Sequence, residues 1–218
     1  MKTFKPTAIV ALFLLAALPA SAQMFGRPQI PSGIVNPLVG GGAVYEFDQG
    51  NGRKSTVEIA MIGKESVDGK DGYWIEMTVS DTPMGQMIAK VLYVIAEGRA
   101  TTSKMIMQMG SRPPMEMPSQ MQSSNGVNFA DIRNKADDLG MESVTTPAGT
   151  FSCHHYRAKD GSGDSWVSES VHPIGLVKSV DKDSTTTVLV KTLTGVKDKI
   201  TGTPVPFNPM MMMPQSKQ

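Results

Sequence analysis

The sequence predicts a mainly β protein, an antiparallel sheet curled into a half-open barrel, with one short amphipathic helix and flexible termini. Three observations predict it. From Ala43 onward, apolar and polar residues alternate with period two in one short segment after another. Clusters of Gly, Asp, Asn and Pro separate those segments. Only one stretch carries helical spacing.

Tyr45 and Phe47 flank Glu46 in the first segment, and Val57, Ile59 and Met61 share one face of the second, opposite Thr56 and Glu58. The cluster Asp68-Gly69-Lys70-Asp71-Gly72 is turn chemistry. Beyond it, Tyr73, Ile75, Met77 and Val79 alternate with Trp74, Glu76, Thr78 and Ser80, which makes the pair a β-hairpin. Further strands are expected at Ile88–Ala96, Thr101–Met109, Glu142–Thr146, Thr150–Arg157, Ser165–Ser170, Leu176–Val180 and Thr185–Leu193. About nine or ten short strands joined by turns favour an antiparallel sheet or open barrel. Phe129, Ile132, Ala136 and Leu139 fall at i, i+3, i+7 and i+10, and Gly140 stands where a C-cap glycine would. They predict one short amphipathic helix laid on the sheet.

The flanks read differently. Residues 1–22 have the form of a signal peptide: Lys2 and Lys5, an apolar run from Ala8 to Leu18, and an A-x-A pattern ending at Ala22. Cleavage there gives an exported chain, periplasmic or secreted, that starts at Gln23. Residues 23–42 hold Pro28, Pro31, Pro37 and Gly40-Gly41-Gly42 and read as an arm or linker. The β-rich domain then covers 43–202, and 203–218 is a flexible tail with Pro204, Pro206, Pro209 and the run Met210 to Met213.

Composition bounds the function. Of 218 residues, 40% are hydrophobic and 19% charged, which excludes a collagen, a coiled coil or a disordered acidic chain. With 21 basic against 20 acidic side chains, the sequence has no electrostatic footprint for nucleic acid. No transmembrane segment is expected after the signal peptide. Cys153 is the single thiol, so no internal disulfide forms, and it reads as a buried small hydrophobe.

Pro113-Pro114-Met115-Glu116-Met117-Pro118, Val144-Thr145-Thr146-Pro147-Ala148-Gly149-Thr150-Phe151, and Trp166-Val167-Ser168 followed by Pro173-Ile174-Gly175-Leu176-Val177-Lys178 occur in that order. Together they resemble a family of uncharacterised exported bacterial proteins. More distantly, the region from Ala43 to Leu193 is similar to the lipoprotein-localisation-factor fold. That resemblance implies an unclosed β-barrel whose concave face holds acyl chains. It also implies a tight turn at Pro-Ala-Gly and a corner at Pro-Ile-Gly.

Methionine is the unusual residue, with 17 in the chain. Met105, Met107 and Met109 lie at period two on one strand face, and thioethers adapt to varied apolar shapes. With Val57, Ile59, Met61, Ile75 and Met77 they would line a concave site for an apolar small molecule, a lipid or a lipoprotein segment. Plain core packing of the same side chains is the competing reading. Met115 and Met117, with Met121 nearby, lie on a Pro/Ser/Gln-rich loop that core packing does not readily explain. Soft thioethers at that spacing suit Cu(I), and Cys153 and His155, on one strand face, would complete the site. An envelope interaction module that presents this loop and a sheet edge to a partner is the third reading.

Catalytic readings fail on composition. Gly163-Asp164-Ser165 lacks the partners of an esterase nucleophile and is turn chemistry. Asp68–Gly72 lacks the ligand count of an EF-hand loop, and His154-His155 lacks a third zinc ligand. The expectation is a non-enzymatic protein with no resident cofactor.

Overall fold

A computed structural model describes residues 33–48, 54–80, 82, 85–96, 99–119 and 132–212. The proposed signal peptide, Phe129 and Met121 lie outside them. The strands are β1 (Gly42–Asp48), β2 (Lys54–Val67), β3 (Lys70–Val79), β4 (Met87–Ala96), β5 (Arg99–Met109) and β6 (Met115–Glu116). They continue as β7 (Ala136–Thr146), β8 (Gly149–Ala158), β9 (Gly163–Val167), β10 (Leu176–Asp181), β11 (Thr186–Leu193) and β12 (Val205–Pro206). All twelve belong to one sheet, in the order β12-β6-β5-β4-β3-β2-β1-β11-β10-β9-β8-β7. Every pairing is antiparallel except β12 with β6.

Two meanders, β1–β6 and β7–β11, meet at the β1–β11 seam. The hairpin read from the Asp68–Gly72 cluster forms, with the turn confined to Asp68-Gly69 and Lys70, Asp71 and Gly72 already paired in β3. Val67 pairs with Lys70, and both turn residues take positive φ, 50° and 76°, the conformation a two-residue hairpin turn demands. Register shifts at Val44/Tyr45, Met61/Gly63, Leu92/Tyr93, Asp138/Met141 and Leu176/Lys178 add local twist. The sheet curls until the inner faces of its two halves share one core, and it does not close. That core holds Tyr45, Ile59 and Met61 from one half and Cys153, Leu176 and Leu189 from the other.

Three sequence expectations change here. The helix expected across Ile132, Ala136 and Leu139 is absent. Ile132–Asn134 makes a single 3-10 turn and the chain enters β7 at Ala136. Asp137 and Asp138 are weak helix formers, and Leu139 is half exposed, so a helix would have had little to bury on that side. Gly140 is the bulge residue of β7 (φ 101°), its N–H donating to Asp138 Oδ1 at 2.8 Å, rather than a helix cap. Ile132 and Ala136 are nonetheless buried, in a second small cluster with Ile34, Tyr156 and Val167.

The N-terminal arm is docked over its described part. Ile34 N–H donates to Ile174 O, Asn36 N–H to Pro173 O, and Gly40 N–H to Met61 O. The tail expected from 203 likewise continues the fold. Val205 and Pro206 pair with Met115 and Glu116, and Phe207 packs against the main core. Backbone hydrogen bonding and apolar side chains capture segments whose proline content suggests loose chain.

Candidate apolar site

Strand register converts the predicted apolar face into rows running across the sheet. In the first, Ala43, Ile59, Met77, Ala89, Met107 and Met115 stand opposite one another in turn, from β1 to β6. In the second, Met61, Ile75, Val91 and Met105 do the same. In the third, Tyr45, Val57, Val79, Met87 and Met109 are aligned. Neighbours in a row are roughly 4.8 Å apart along the hydrogen-bonding direction. All eight predicted residues therefore share the inner face.

They are packed rather than open to solvent. Val57 is 7% exposed, Ile75 and Met77 4%, Met105 5%, Met109 3%, and Ile59 and Met61 not at all; Met107 is half-buried. Met109 is buried at the end of its row and stands apart from the main cluster. The face is covered by the chain itself. Val171 and Ile174, in the corner that follows β9, belong to the same cluster. Ala148 in the β7–β8 turn, Phe151 just beyond it, and Phe207 pack against it, each only partly buried.

The proposed soft-metal residues separate into two groups. Met115 and Met117 are buried, at 0% and 3%, and Met117 N–H donates to Met105 O. Core packing does explain them: they extend the apolar face through and just beyond β6. The Pro-rich flanks hid this because β6 has only two residues. Cys153 is fully buried, and burial, with the nearby Glu142 charge, pushes its thiol up to about 11. His155 stacks on Trp166 at 4.5 Å, with Nε2 3.0 Å from Asp164 and Nδ1 3.3 Å from Glu142. Carboxylates thus engage both ring nitrogens. Among the described residues, no group of three or more His, Cys, Asp or Glu side chains is arranged to hold a metal ion. No described helix is long and apolar enough to cross a membrane.

Two of the motif segments form turns. Pro147 and Ala148 link Thr146 to its partner Gly149, and Pro173-Ile174-Gly175 forms the corner before β10, with a cis His172–Pro173 bond.

Sequence reasoning missed the outer face. Glu76, between Ile75 and Met77, reads as a solvated strand position, yet it is 2% exposed. Its Oε2 accepts the Lys199 N–H at 3.1 Å, while Oε1 has no hydrogen-bond partner among the described residues. Burial raises its carboxyl to about 7, and the neighbouring Asp198 adds to that, with the Lys199 N–H acting the other way. The signal available in the sequence was a lone glutamate between apolar strand neighbours, which does not reveal what covers it.

No protein-family model matches the chain, and no curated protein matches it. Solved structures give distant likenesses. One is a candidate lipoprotein from Parabacteroides distasonis, with 17% identity and a TM-score of 0.37 over 75% of this chain and 100% of that one. Another is a candidate exported protein with YmcC-like fold from Bacteroides fragilis, with 15% identity and a TM-score of 0.36 over 74% and 99%. A third is the MucA/MucB complex of Pseudomonas aeruginosa, with 12% identity and a TM-score of 0.41 over 72% of this chain and 52% of that one.

Proposed function

We propose that this chain is an exported, non-enzymatic envelope protein that takes an apolar chain, an acyl group or a lipoprotein segment, against its methionine-bearing inner face. Export rests on the basic, apolar and A-x-A pattern of residues 1–22. The observation that carries the binding reading is the row Met77–Ala89–Met107–Met115. It brings adaptable thioethers, in register, to the end of the sheet where the two-residue β12 pairs with β6 and Phe207, the next residue, packs against the core. A ligand there displaces a partly buried phenylalanine rather than a rigid wall. The test is titration of the delipidated protein with a fluorescent fatty acid. Saturable enhancement is expected, and a signal no greater than buffer removes the reading.

A second reading has its own support. Met107 and Met115 are cross-strand partners, and Met117 bonds to the backbone of Met105, so four thioether residues gather around β5 and β6. Such a set suits Cu(I). Competition against a Cu(I) chelator decides it: Met115→Leu and Met117→Leu weaken binding if the site exists, and unchanged affinity eliminates it.

A further inference from the structure

The outer face of the first meander carries a second set of aligned residues. Gly42, Ala60, Glu76, Lys90, Ile106 and Glu116 stand opposite one another from β1 to β6. Residues 194–204 cross this row. Val196 N–H donates to Gly40 O, and its Cγ2 lies 3.3 Å from where a Gly42 Cβ would sit. Lys199 reaches Glu58 Oε1 at 2.7 Å and Thr78 Oγ1 at 3.4 Å, and Asp198 pairs with Lys90. Val205 then joins β6 through the Pro114 carbonyl. Five strand spacings cover roughly 24 Å, and the nine residue-to-residue steps from Val196 to Val205 reach about 30 Å when extended. The segment is therefore long enough to cross the whole row, with bends at Gly195 and Gly202.

Glu76 is the buried group beneath it. The charged groups facing it are Glu58 from β2, Lys90 from β4, and Asp198 and Lys199 from the crossing segment; Thr78 is on its own strand. Lys90 is already committed to Asp198 and sits over the Trp74 ring at 4.7 Å. Lys199 Nζ is committed to Glu58. An ionised Glu76 under this cover therefore has one backbone N–H and the Lys199 charge in its favour, and burial and the Asp198 carboxylate against it. Uncovered, it has water.

We propose that residues 194–207 form a proton-controlled strap: it clasps the outer face while Glu76 is protonated, loosens as Glu76 ionises, and on release withdraws Phe207 from the inner core and frees the β6 edge. The opening step stands on the strap's own geometry. That the freed edge admits an apolar chain rests on the function proposed above.

Linkage gives the size and the sign. A carboxyl that titrates near 7 under the strap and near 4.5 without it favours the closed strap at acid pH. Between pH 6 and pH 8 the closing equilibrium falls about tenfold. Amide hydrogen exchange on the full mature chain without ligand measures this, each rate divided by its intrinsic rate at that pH. Protection of residues 195–207 is expected to fall about tenfold from pH 6 to pH 8, while β8 and β9 keep theirs. Glu76→Gln is expected to hold the pH 8 protection near the pH 6 value. Constant wild-type protection, or an equal loss in the glutamine variant, overturns the strap. If that variant does not fold, the wild-type series alone decides. A fatty-acid titration at both pH values separates the two ideas. Strap release without probe binding refutes the ligand and leaves the strap. Probe binding with protection that does not change refutes the strap and leaves the ligand.

Discussion

The Tyr45 hydroxyl donates to the Leu176 carbonyl at 3.1 Å, a bond inside the core that ties β1 to β10 across the curl of the sheet. Burial pushes the phenol pKa well above its ordinary value, so it stays a donor throughout the working pH range. Tyr45→Phe keeps the ring and leaves that carbonyl one donor short. Urea unfolding should show a loss of about 1–2 kcal/mol with unchanged m-value. Wild-type stability in the variant would mean the hydroxyl does not hold the two halves together.

Glu76 sets a pH dependence of the whole fold as well as of the strap. Its folded pKa, about 7, lies above the ordinary 4.5, so the native state binds the proton more tightly than the unfolded chain does. The resulting stability is fully present below pH 4.5, is lost as pH rises to 7, and changes no further above it. Glu76→Gln should remove that slope and gain on the order of 3 kcal/mol at pH 8. Parallel pH–stability curves for the two proteins would contradict this.

Met61 is fully buried at the centre of the inner face. Met61→Ala leaves a cavity there and should cost about 2–5 kcal/mol, whereas Met61→Leu, which nearly conserves volume, should cost less than about 1.5 kcal/mol. Thermal melts of both variants read the difference. Equal, small losses would show that the inner face is not close-packed.

Cys153 has a fully buried thiol that titrates near 11, so at pH 7.5 it is almost entirely neutral and out of reach of reagents. A thiol-reactive chromophore should label the native chain only as fast as it opens, and label it at once in denaturant. Prompt labelling of the folded protein would place Cys153 outside the core.

The strands and the inner face were legible because their signal is local. Alternation at Val57–Met61 and Ile75–Val79 states which side chains share a side, and the Asp68–Gly72 cluster states where the chain turns back. The fate of Leu139 was not legible. Its spacing from Ile132 and Ala136 fits a helix, and pairing with β8 decided otherwise. Met115 was misplaced for a related reason, since two residues of strand bounded by prolines carry no period. Glu76 was invisible because its cover arrives from residues 198–199, more than a hundred positions away. Sequence pattern reports the face of a strand; it does not report which remote segment lies upon that face.

The seam at the middle of the sheet sets an order of assembly. Gly42 pairs with Ala60 through a near connection, but its other neighbour is Leu193, almost a whole domain further along. Each meander can gather itself from adjacent hairpins, while joining them must wait until distant strands find one another. Slow maturation should therefore reside in that single junction, and substitutions in β1 or β11 should retard folding more than equally costly ones in the β2–β3 hairpin.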